Sequence, residues 1–359
     1  MEDMDLADAF AGRRVLVTGH TGFKGSWLAL WLHGLGAQVT GYALDPPTDP
    51  SHFEAAATGE LLERDVRADV RDADALGRAV DESAPEVVFH LAAQALVRFG
   101  YREPAETFHV NAQGTVNLLE AVRRAGRPCV VVAVTSDKCY ENDGRTRGYV
   151  ESDPMGGRDP YSASKGAAEI MAAAYRRSFF GPDSGVRLAS VRAGNAVGGG
   201  DWAEDRVVPD TIRALTAGHP VRIRNPGAVR PWQHVLEPLS GYLTLAARLL
   251  VPGDREELCG AWNFAPPRGR VLHVQGLVER LIASWGEGTW ESAAAPGQPP
   301  ESAYLRLDAA KAERQLGWRP RWTIDEALRR VVEWHRATES ARDVSRAHIA
   351  AYEAAEASG

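Results

Sequence analysis

The stretch Arg14-Val-Leu-Val-Thr-Gly-His-Thr-Gly-Phe-Lys-Gly25 joins a short β-branched run to a glycine-rich turn, and residues 26–34 continue as an apolar, helix-forming segment. Strand, glycine turn and helix in this order are typical of the first unit of a dinucleotide-binding fold. The glycines follow a GxxGxxG spacing. Gly19 allows a tight turn, Gly22 lets backbone amides approach a pyrophosphate, and Gly25 lets the helix pack closely against the strand.

Strands and helices alternate through the first half of the chain. The predicted strands cover residues 38–44, 86–94, 129–134 and 186–191, and the predicted helices cover 107–125 and 161–178. This alternation predicts an α/β protein with a Rossmann-type doubly wound parallel sheet. We place the dinucleotide-binding domain at residues 12–191, completed by parts of 230–265.

The regular alternation of strands and helices ends after residue 191. This change predicts a smaller mixed α/β C-terminal domain that binds the substrate. The predicted domain is discontinuous and lies mostly within residues 192–340. Its predicted elements are strands near 221–224 and 271–274, helices at 210–217, 236–250, 274–283 and 308–315, and a loop at 293–300.

The composition is that of an ordinary soluble globular protein, with 44% hydrophobic and 25% charged residues in 359. The net charge of -7 and the absence of a basic run argue against a nucleic-acid partner. Cys129, Cys139 and Cys259 are scattered, which indicates neither a disulfide framework nor a metal site and favours a reducing cytoplasm. No apolar run reaches the roughly 20 residues of a membrane span. Residues 1–11 have no signal-peptide pattern, and we expect them to be frayed.

Asp45 follows the second predicted strand, about 20 residues beyond the glycine turn, where an acidic residue accepts from the ribose hydroxyls of NAD. A carboxylate there also repels a 2′-phosphate, so NAD is favoured over NADP. The alternative is that Asp45 only begins the turn at residues 45–50. Lys24 lies either near the phosphates or in solvent.

Further cofactor contacts are predicted at the carboxyl ends of the strands, where ligands bind in open parallel sheets. Asp69 and Val70 are placed at the adenine edge, and Leu91, Ala92 and Ala93 leave room for a flat ring unless they only pack in the core. The full set predicted for the cofactor is Gly19, Thr21, Gly22, Phe23, Lys24, Gly25, Asp45, Asp69, Val70, Leu91, Ala92, Ala93, Thr135, Tyr161 and Lys165.

Two short stretches carry the predicted chemistry. Tyr161 and Lys165 are four residues apart, so on a helix they share one face. An ammonium beside a phenol lowers its pKa, which makes a base for a sugar hydroxyl near neutral pH. Ser136, Asp137 and Lys138 supply a hydroxyl, a carboxylate and an amine at the end of the apolar strand 129–134.

Substrate contacts are predicted at Gln94, Asn195, Arg206, Arg230 and His234, and no metal is expected. Arg230 can hold a pyrophosphate with two parallel hydrogen bonds. Trp232 and His234 either take part or pack beneath it. Other candidate arginines are Arg222, Arg224 and Arg268.

The chain resembles the extended short-chain dehydrogenase/reductase family from about Gly12 to His335. The motifs are Thr18-Gly-His-Thr-Gly-Phe-Lys-Gly25, His90-Leu-Ala-Ala93, Asn111-x-x-Gly-Thr-x-Asn-Leu-Leu-Glu-Ala121, Tyr161-x-x-x-Lys165, Arg230-x-Trp-x-His-Val235 and Leu316-Gly-Trp318. Residues 135–142 and 148–161, and Asp45-Pro-Pro-Thr48, resemble the nucleotide-sugar 4,6-dehydratases that act on the cytidine-linked sugar.

The resemblance implies a tightly bound NAD that is recycled in each turnover. Tyr161 would take the proton of the sugar 4-hydroxyl while the C4 hydride passes to NAD, and Ser136 would bond to the same hydroxyl. Lys165 would bind the nicotinamide ribose. Asp137 would protonate the 6-hydroxyl as water is lost across C5 and C6, and the hydride would return to C6. The resemblance also implies a homodimer, paired through helices 107–125 and 161–178.

Lys138 departs from the deoxythymidine branch of these dehydratases, which has a glutamate as the C5 base at this position. Lys138 is either a base, with its pKa brought down from about 10.4, or a fixed charge that stabilises an enolate. The alternatives for the whole chain are a nucleotide-sugar 4-epimerase, a dehydratase of a dTDP- or GDP-linked sugar, and a non-catalytic dinucleotide-sensing protein.

Overall fold

The computed structural model describes residues 5–251, 253, 256–266, 272–293 and 304–356. The strands are β1 (Arg14–Thr18), β2 (Gln38–Ala43), β3 (Arg64–Arg67), β4 (Val87–His90), β5 (Cys129–Val134), β6 (Val186–Ala193), β7 (Ala196–Val197), β8 (Val221–Ile223), β9 (Val229–Arg230), β10 (Gln233–His234), β11 (Ala261–Phe264), β12 (Leu272–His273) and β13 (Trp290–Ser292).

The α-helices are α1 (Leu6–Phe10), α2 (Phe23–Gly34), α3 (His52–Ala55), α4 (Ala73–Ser83), α5 (Val97–Arg102), α6 (Pro104–Phe108), α7 (Gly114–Ala125), α8 (Pro160–Ser178), α9 (Val207–Thr216), α10 (Leu236–Leu250), α11 (Val274–Trp285), α12 (Ala310–Leu316), α13 (Ile324–Arg336) and α14 (Ala341–Glu353). Short 3₁₀ turns cover Thr58–Leu61, Asp137–Cys139, Pro182–Ser184 and Glu256–Leu258, and a π-helical turn covers His109–Gln113.

A seven-stranded parallel sheet in the order β11-β6-β5-β4-β1-β2-β3 forms the centre of the fold. The β-branched residues of β5 are buried on both faces, as expected of a strand covered by helices on each side. The chain changes direction across the sheet between β1 and β4, and this reversal opens a crevice at their carboxyl ends. The predicted Rossmann-type fold is therefore confirmed.

Helix α2 is buried on almost all sides because C-terminal helices cover it. The indole nitrogen of Trp31 donates to Oε1 of Glu353 at 2.7 Å, and His52 Nε2 lies 3.0 Å from Ser345 Oγ. These contacts come from α14, which, like α13, the sequence pattern does not predict. The apolar character of α2 thus reflects a position between the sheet and this helical layer.

Three two-stranded sheets, β7 with β10, β8 with β13 and β9 with β12, lie outside the main sheet. With helices α9, α11 and α13 they enclose a core of their own, which includes Ile212, Leu277 and Val331. Strand β11 instead joins the main sheet beside β6. The domain boundaries given above stay a prediction.

Several predicted element bounds are wrong. The helix expected at 107–125 begins at Pro104, whose fixed φ suits a first helical position, and it passes through the π-helical turn into α7. The strand expected at 86–94 ends at His90. Residues 6–10 are helical rather than frayed because Phe10 is fully buried beside Phe89. Arg268 and all of the loop 293–300 except Ala293 fall outside the described residues.

Candidate active site

The glycine turn between β1 and α2 fits the pyrophosphate of a dinucleotide. Gly19 has a φ of +77°, and a Cβ on it would lie 2.6 Å from the backbone nitrogen of Ala92. A Cβ on Gly25 would lie 2.0 Å from the carbonyl oxygen of Gly19. Among the described residues no side chain caps α2 at Gly22, so its first amides are left for an anion.

Lys24, in the same turn, lines a deep cavity at the carboxyl end of the sheet rather than extending into solvent. Burial is the main reason that its pKa is lowered to about 8, and the nearby Arg206 lowers it further, while Asp137 and Asp201 oppose this shift. The structure therefore places the Lys24 ammonium among the candidate catalytic groups.

The residues predicted for the adenosine end follow β2, β3 and β4. The Asp45 side chain is 91% exposed, and its Oδ1 lies 3.2 Å from Nη1 of Arg67. The Asp69 carboxylate accepts hydrogen bonds of 2.9 and 2.6 Å from the Arg71 guanidinium. The other predicted contacts of this edge are buried or half-buried, namely Thr21, Val70, Leu91, Ala92 and Ala93.

The cavity lies between the main sheet and the smaller C-terminal elements. The sequence-predicted residues that line it are Phe23, Lys24, Thr135, Ser136, Asp137, Lys138, Tyr161, Asn195, Arg206, Arg222, Arg224, Arg230 and Trp232. Strand β5 and the start of α8 carry the catalytic candidates, because the polar run 135–138 begins where the buried β5 ends. Pro160 at the first turn of α8 and the Asp159 side chain, which accepts from the Ser162 amide, fix the start of that helix.

One hydrogen bond and one close neighbour group three of these residues. Ser136 Oγ donates to Oδ1 of Asp137 at 3.0 Å, and Ser136 also lies near enough to the Tyr161 phenol to lower its pKa. All three side chains are buried. The hydroxyl, the carboxyl group and the phenol therefore lie at one place in the cavity wall.

The surroundings of Asp137 shift its pKa in the direction that favours the protonated acid. Burial raises its pKa, and the opposing effects of Lys138, Ser136, Arg230 and Lys24 are smaller. Its second oxygen, Oδ2, is buried and has no hydrogen-bond partner within the described part of the chain. A polar group entering the cavity is therefore the natural partner for Oδ2.

The expected electrostatic effect of Lys165 on Tyr161 is not found. Burial raises the pKa of Tyr161 to about 12, and the nearby Ser136 only partly opposes this shift. Lys165 donates to the carbonyl oxygen of Val134 at 3.3 Å, and burial lowers its pKa to about 8. The prediction of a lowered Tyr161 pKa is thus wrong here, because desolvation of the phenol outweighs the cations around it.

Glu169 and Arg192 form a buried ion pair that the sequence did not predict. Glu169, one helical turn after Lys165, forms two hydrogen bonds of 2.8 Å with the Arg192 guanidinium. It also accepts from the hydroxyls of Thr135 at 2.6 Å and Ser190 at 2.7 Å. Glu169 therefore ties α8 to the ends of β5 and β6, and the Thr135 hydroxyl points to this pair rather than to the cavity.

Arginines and carboxylates surround the cavity mouth. Arg206 Nη1 lies 3.1 Å from Asp201 Oδ2. Asp205, which has a φ of +61°, pairs with both Arg98 on α5 and Arg224 after β8. Arg98 and Asp205 were not predicted, because nothing in the local sequence shows which distant charges meet.

The structure does not bring two predicted substrate residues into the cavity. The Gln94 amide donates to Thr107 at 2.8 Å, and its oxygen accepts from the Leu96 amide, so the side chain is held against α6. His234 is 1% exposed and lies against the rings of Trp27 and Trp322. Burial lowers its pKa far below the usual range. Neither Gln94 nor His234 lines the cavity, so the structure gives no support to their prediction as substrate contacts.

Two kinds of feature are absent from the described residues. No helix there is long and apolar enough to cross a membrane. No cluster of three or more histidine, cysteine or acidic side chains there could hold a metal ion.

Known proteins are similar to this chain in sequence and in architecture. A profile of the NAD dependent epimerase/dehydratase family matches residues 15–254. The CDP-glucose 4,6-dehydratase of Salmonella typhimurium strain LT2 is 51% identical over 330 residues, which are 91% of each chain. Among solved structures, the dTDP-glucose 4,6-dehydratase DesIV from Streptomyces venezuelae, with NAD bound, has a TM-score of 0.75 at 26% identity, covering 90% of this chain and 96% of that one. The UDP-glucose 4-epimerase of Thermus thermophilus in complex with NAD has a TM-score of 0.75 at 28% identity, covering 90% and 99%.

Proposed function

The chain belongs to the NAD-dependent epimerase/dehydratase family, which confirms NAD as its predicted cofactor, and we propose that it converts CDP-D-glucose to CDP-4-keto-6-deoxy-D-glucose and water. The observation that carries this proposal is that Tyr161, Ser136 and Asp137 line one cavity, where Ser136 is hydrogen-bonded to the Asp137 carboxyl group. The 51% identity to the Salmonella enzyme supports the cytidine-linked sugar as substrate.

The first step is oxidation at C4 of the glucose ring. Tyr161 would take the proton of the 4-hydroxyl as the phenolate, which the positive charge of a bound nicotinamide ring favours against the burial that raises its pKa. Ser136 would bond to the same oxygen. When bound, NAD supplies a cationic nicotinamide ring that accepts the hydride of C4 and later returns it to C6. Lys165, which donates to the carbonyl of Val134, would bind the nicotinamide ribose through its other N–H groups.

The second step is loss of water across C5 and C6, which the 4-keto group permits because it acidifies the C5 proton. Asp137 gives its proton to the leaving 6-hydroxyl, so the C6–O bond breaks as water forms. Burial raises the pKa of Asp137, which is the direction that favours the protonated acid that this role requires. An epimerase has no use for an acid at this point.

The C5 proton is the part of the reaction for which two assignments remain. Lys138 is half-buried and lines the cavity beside Asp137. As a neutral amine it takes the C5 proton and gives it back when the hydride returns to C6. As an ammonium it stabilises the enolate, and another group takes the proton.

Three polar side chains remain as proposed substrate contacts. Arg230 is 7% exposed at the cavity wall, where its guanidinium can meet the pyrophosphate of a nucleotide sugar. Asn195 and Arg206 line the same wall and complete a polar surface for the phosphates.

Exposed apolar side chains on two neighbouring helices support a further proposal about the oligomeric state. Ile170 on α8 is 59% exposed and Phe108 on the neighbouring α6 is 38% exposed, which supports a homodimer formed through this face. Light scattering of the wild type and of Ile170→Glu tests this, since the introduced charge should yield a monomer.

The cysteines support a proposal about location. Cys129, Cys139 and Cys259 are free, which supports a reducing, cytoplasmic location.

The direct test is incubation of the purified protein with CDP-, dTDP-, UDP- and GDP-glucose. A 4-keto-6-deoxy product is detected by its ultraviolet absorbance in base. Product from CDP-glucose alone, without added NAD, supports the proposal and a retained cofactor. Product only from the dTDP sugar, or a galactose epimer in place of the keto sugar, would overturn the substrate or the reaction class, respectively.

A further inference from the structure

At the adenosine end of the cofactor site, an arginine lies where it can select between the two dinucleotides. Arg67 is the last residue of β3, paired with Ala43 at the end of β2. Asp45 follows two residues later, at the position that faces the adenosine ribose in this fold. Proteins of this fold that use NADP have an arginine near this position, against the 2′-phosphate.

The Arg67 guanidinium is already paired with two carboxylates. Its Nε donates to Asp65 Oδ1 at 2.7 Å, its Nη2 donates to Asp65 Oδ2 at 2.8 Å, and its Nη1 donates to Asp45 Oδ1 at 3.2 Å. Its Cζ lies 4.9 Å from the centroid of the Phe53 ring, which holds it from one face. The three nitrogens of the guanidinium therefore each have a partner.

Asp65 is fixed from the side of the glycine turn. Nε2 of the buried His20 lies 2.8 Å from Asp65 Oδ1. The His20 ring packs closely against Gly41, where even a Cβ would lie only 2.5 Å from it. This close packing restricts the movement of His20. The turn that is shaped for the pyrophosphate is thus linked through His20 and Asp65 to the arginine beside the ribose.

We propose that Asp65 is a specificity-determining residue that acts with Asp45 to keep Arg67 paired and so excludes NADP. The two carboxylates and one guanidinium carry a formal charge of -1, which repels a 2′-phosphate while leaving the Asp45 carboxylate to accept from a 2′-hydroxyl. Removing both carboxylates would leave Arg67 as a ready site for that phosphate. This role of Asp65 deepens the proposed function at the cofactor but does not depend on which sugar is the substrate.

The test compares Asp45→Asn, Asp65→Asn, the double variant, and the double variant with Arg67→Gln. Asp49→Asn is the control, since Asp49 is an exposed carboxylate on the same rim and has no described contact with Arg67. Nucleotides released from the denatured proteins are separated by chromatography, and the full-length chain stripped of cofactor is titrated with NAD and with NADP by calorimetry.

We expect the ratio of NADP to NAD affinity to rise about tenfold in Asp65→Asn and further in the double variant. Arg67→Gln in the double variant should remove the gain, and Asp49→Asn should bind like the wild type. An unchanged ratio in Asp65→Asn, or a gain that survives loss of Arg67, would overturn the proposal.

If the Asp65 variants do not fold, Arg67→Gln alone decides the point, because it should weaken residual NADP binding and spare NAD. Equal effects on both dinucleotides would then reject the role of Arg67. These titrations contain no sugar, so they stand or fail separately from the test with CDP-glucose.

Discussion

The hydroxyl of Ser136 donates a 3.0 Å hydrogen bond to Oδ1 of Asp137, and the other carboxyl oxygen is buried without a described partner. The proposed acid for water loss is thus held by a serine that lines the same cavity as Tyr161, the proposed base for oxidation. Both steps act on the same sugar. Oxidation removes a proton from the 4-hydroxyl, whereas water loss needs a proton donated to the 6-hydroxyl. A buried carboxyl group with a raised pKa suits the donation of that proton.

Asp137→Asn should uncouple the two steps. The amide keeps the shape and the bond from Ser136 but holds no acidic proton, so water loss should slow by about 10² to 10⁴-fold. Oxidation at C4 should persist, and reduced NAD should accumulate on the protein after CDP-glucose is added. Stopped-flow absorbance follows the cofactor, and chromatography follows the sugar. Asp183→Asn, an exposed carboxylate, is the control. Normal formation of the 4-keto-6-deoxy product would disprove the assignment of the acid.

Lys165→Met should stabilise the protein in a pH-dependent manner. The folded-state pKa of Lys165 is about 8, below the ordinary 10.5, so the folded chain binds this proton less well than the unfolded chain. The resulting cost, at most about 3 kcal/mol, is full below pH about 8 and vanishes as the pH rises towards the unfolded value. Urea unfolding at pH about 7 and about 10 measures it. An equal difference between variant and wild type at both pH values would contradict the buried-ammonium account.

The fold and part of the site could be predicted because they depend on local pattern. A β-branched run, three spaced glycines and a polar run after a buried strand are each visible over a few residues, and the structure does bring Ser136, Asp137 and Tyr161 together. The pairing of Arg98 with Asp205 and of Glu169 with Arg192 depends on segments far apart in the sequence. The direction of the Tyr161 pKa shift was missed for a similar reason, since it depends on burial by the whole fold.

Glu169→Gln should destabilise the protein and lower kcat. It removes the counter-ion of the buried Arg192 guanidinium, and loss of one partner from a buried pair costs about 3 to 5 kcal/mol. Because Glu169 ties α8 to β5, Tyr161 and Ser136 should also lose alignment, which lowers kcat more than it raises KM.

The matched comparison is a double-mutant cycle with Arg192→Met, followed by urea unfolding. The double variant should lose less stability than the sum of the single losses, because it leaves no unpaired charge. Additive losses would show that the two side chains do not act as a pair.

Asp205→Asn should strengthen nucleotide-sugar binding. Asp205 pairs with both Arg98 and Arg224 at the cavity mouth, and asparagine tolerates its positive φ. Without the carboxylate, both cations are more available to a diphosphate, so KM should fall about two- to fivefold at low salt and less at high salt. Steady-state kinetics at two ionic strengths measure this, with the distant Asp325→Asn as control. A raised KM would mean that Asp205 orders the site rather than competing with the substrate.

Lys138 decides how the C5 proton leaves, and two substitutions separate its possible roles. Lys138→Met removes both the amine and the charge, so it should retain C4 oxidation and lose product formation by about 10² to 10⁴-fold. Lys138→Arg keeps a positive charge but cannot give up a proton at neutral pH. If Lys138 is the base, Arg should be as inactive as Met, and C5 should no longer exchange with solvent deuterium. If Lys138 is a fixed charge, Lys138→Arg should retain much of the product formation and of the C5 exchange that Lys138→Met loses. Exchange at C5, measured by mass spectrometry of the recovered sugar, therefore reports the protonation state in which this lysine works.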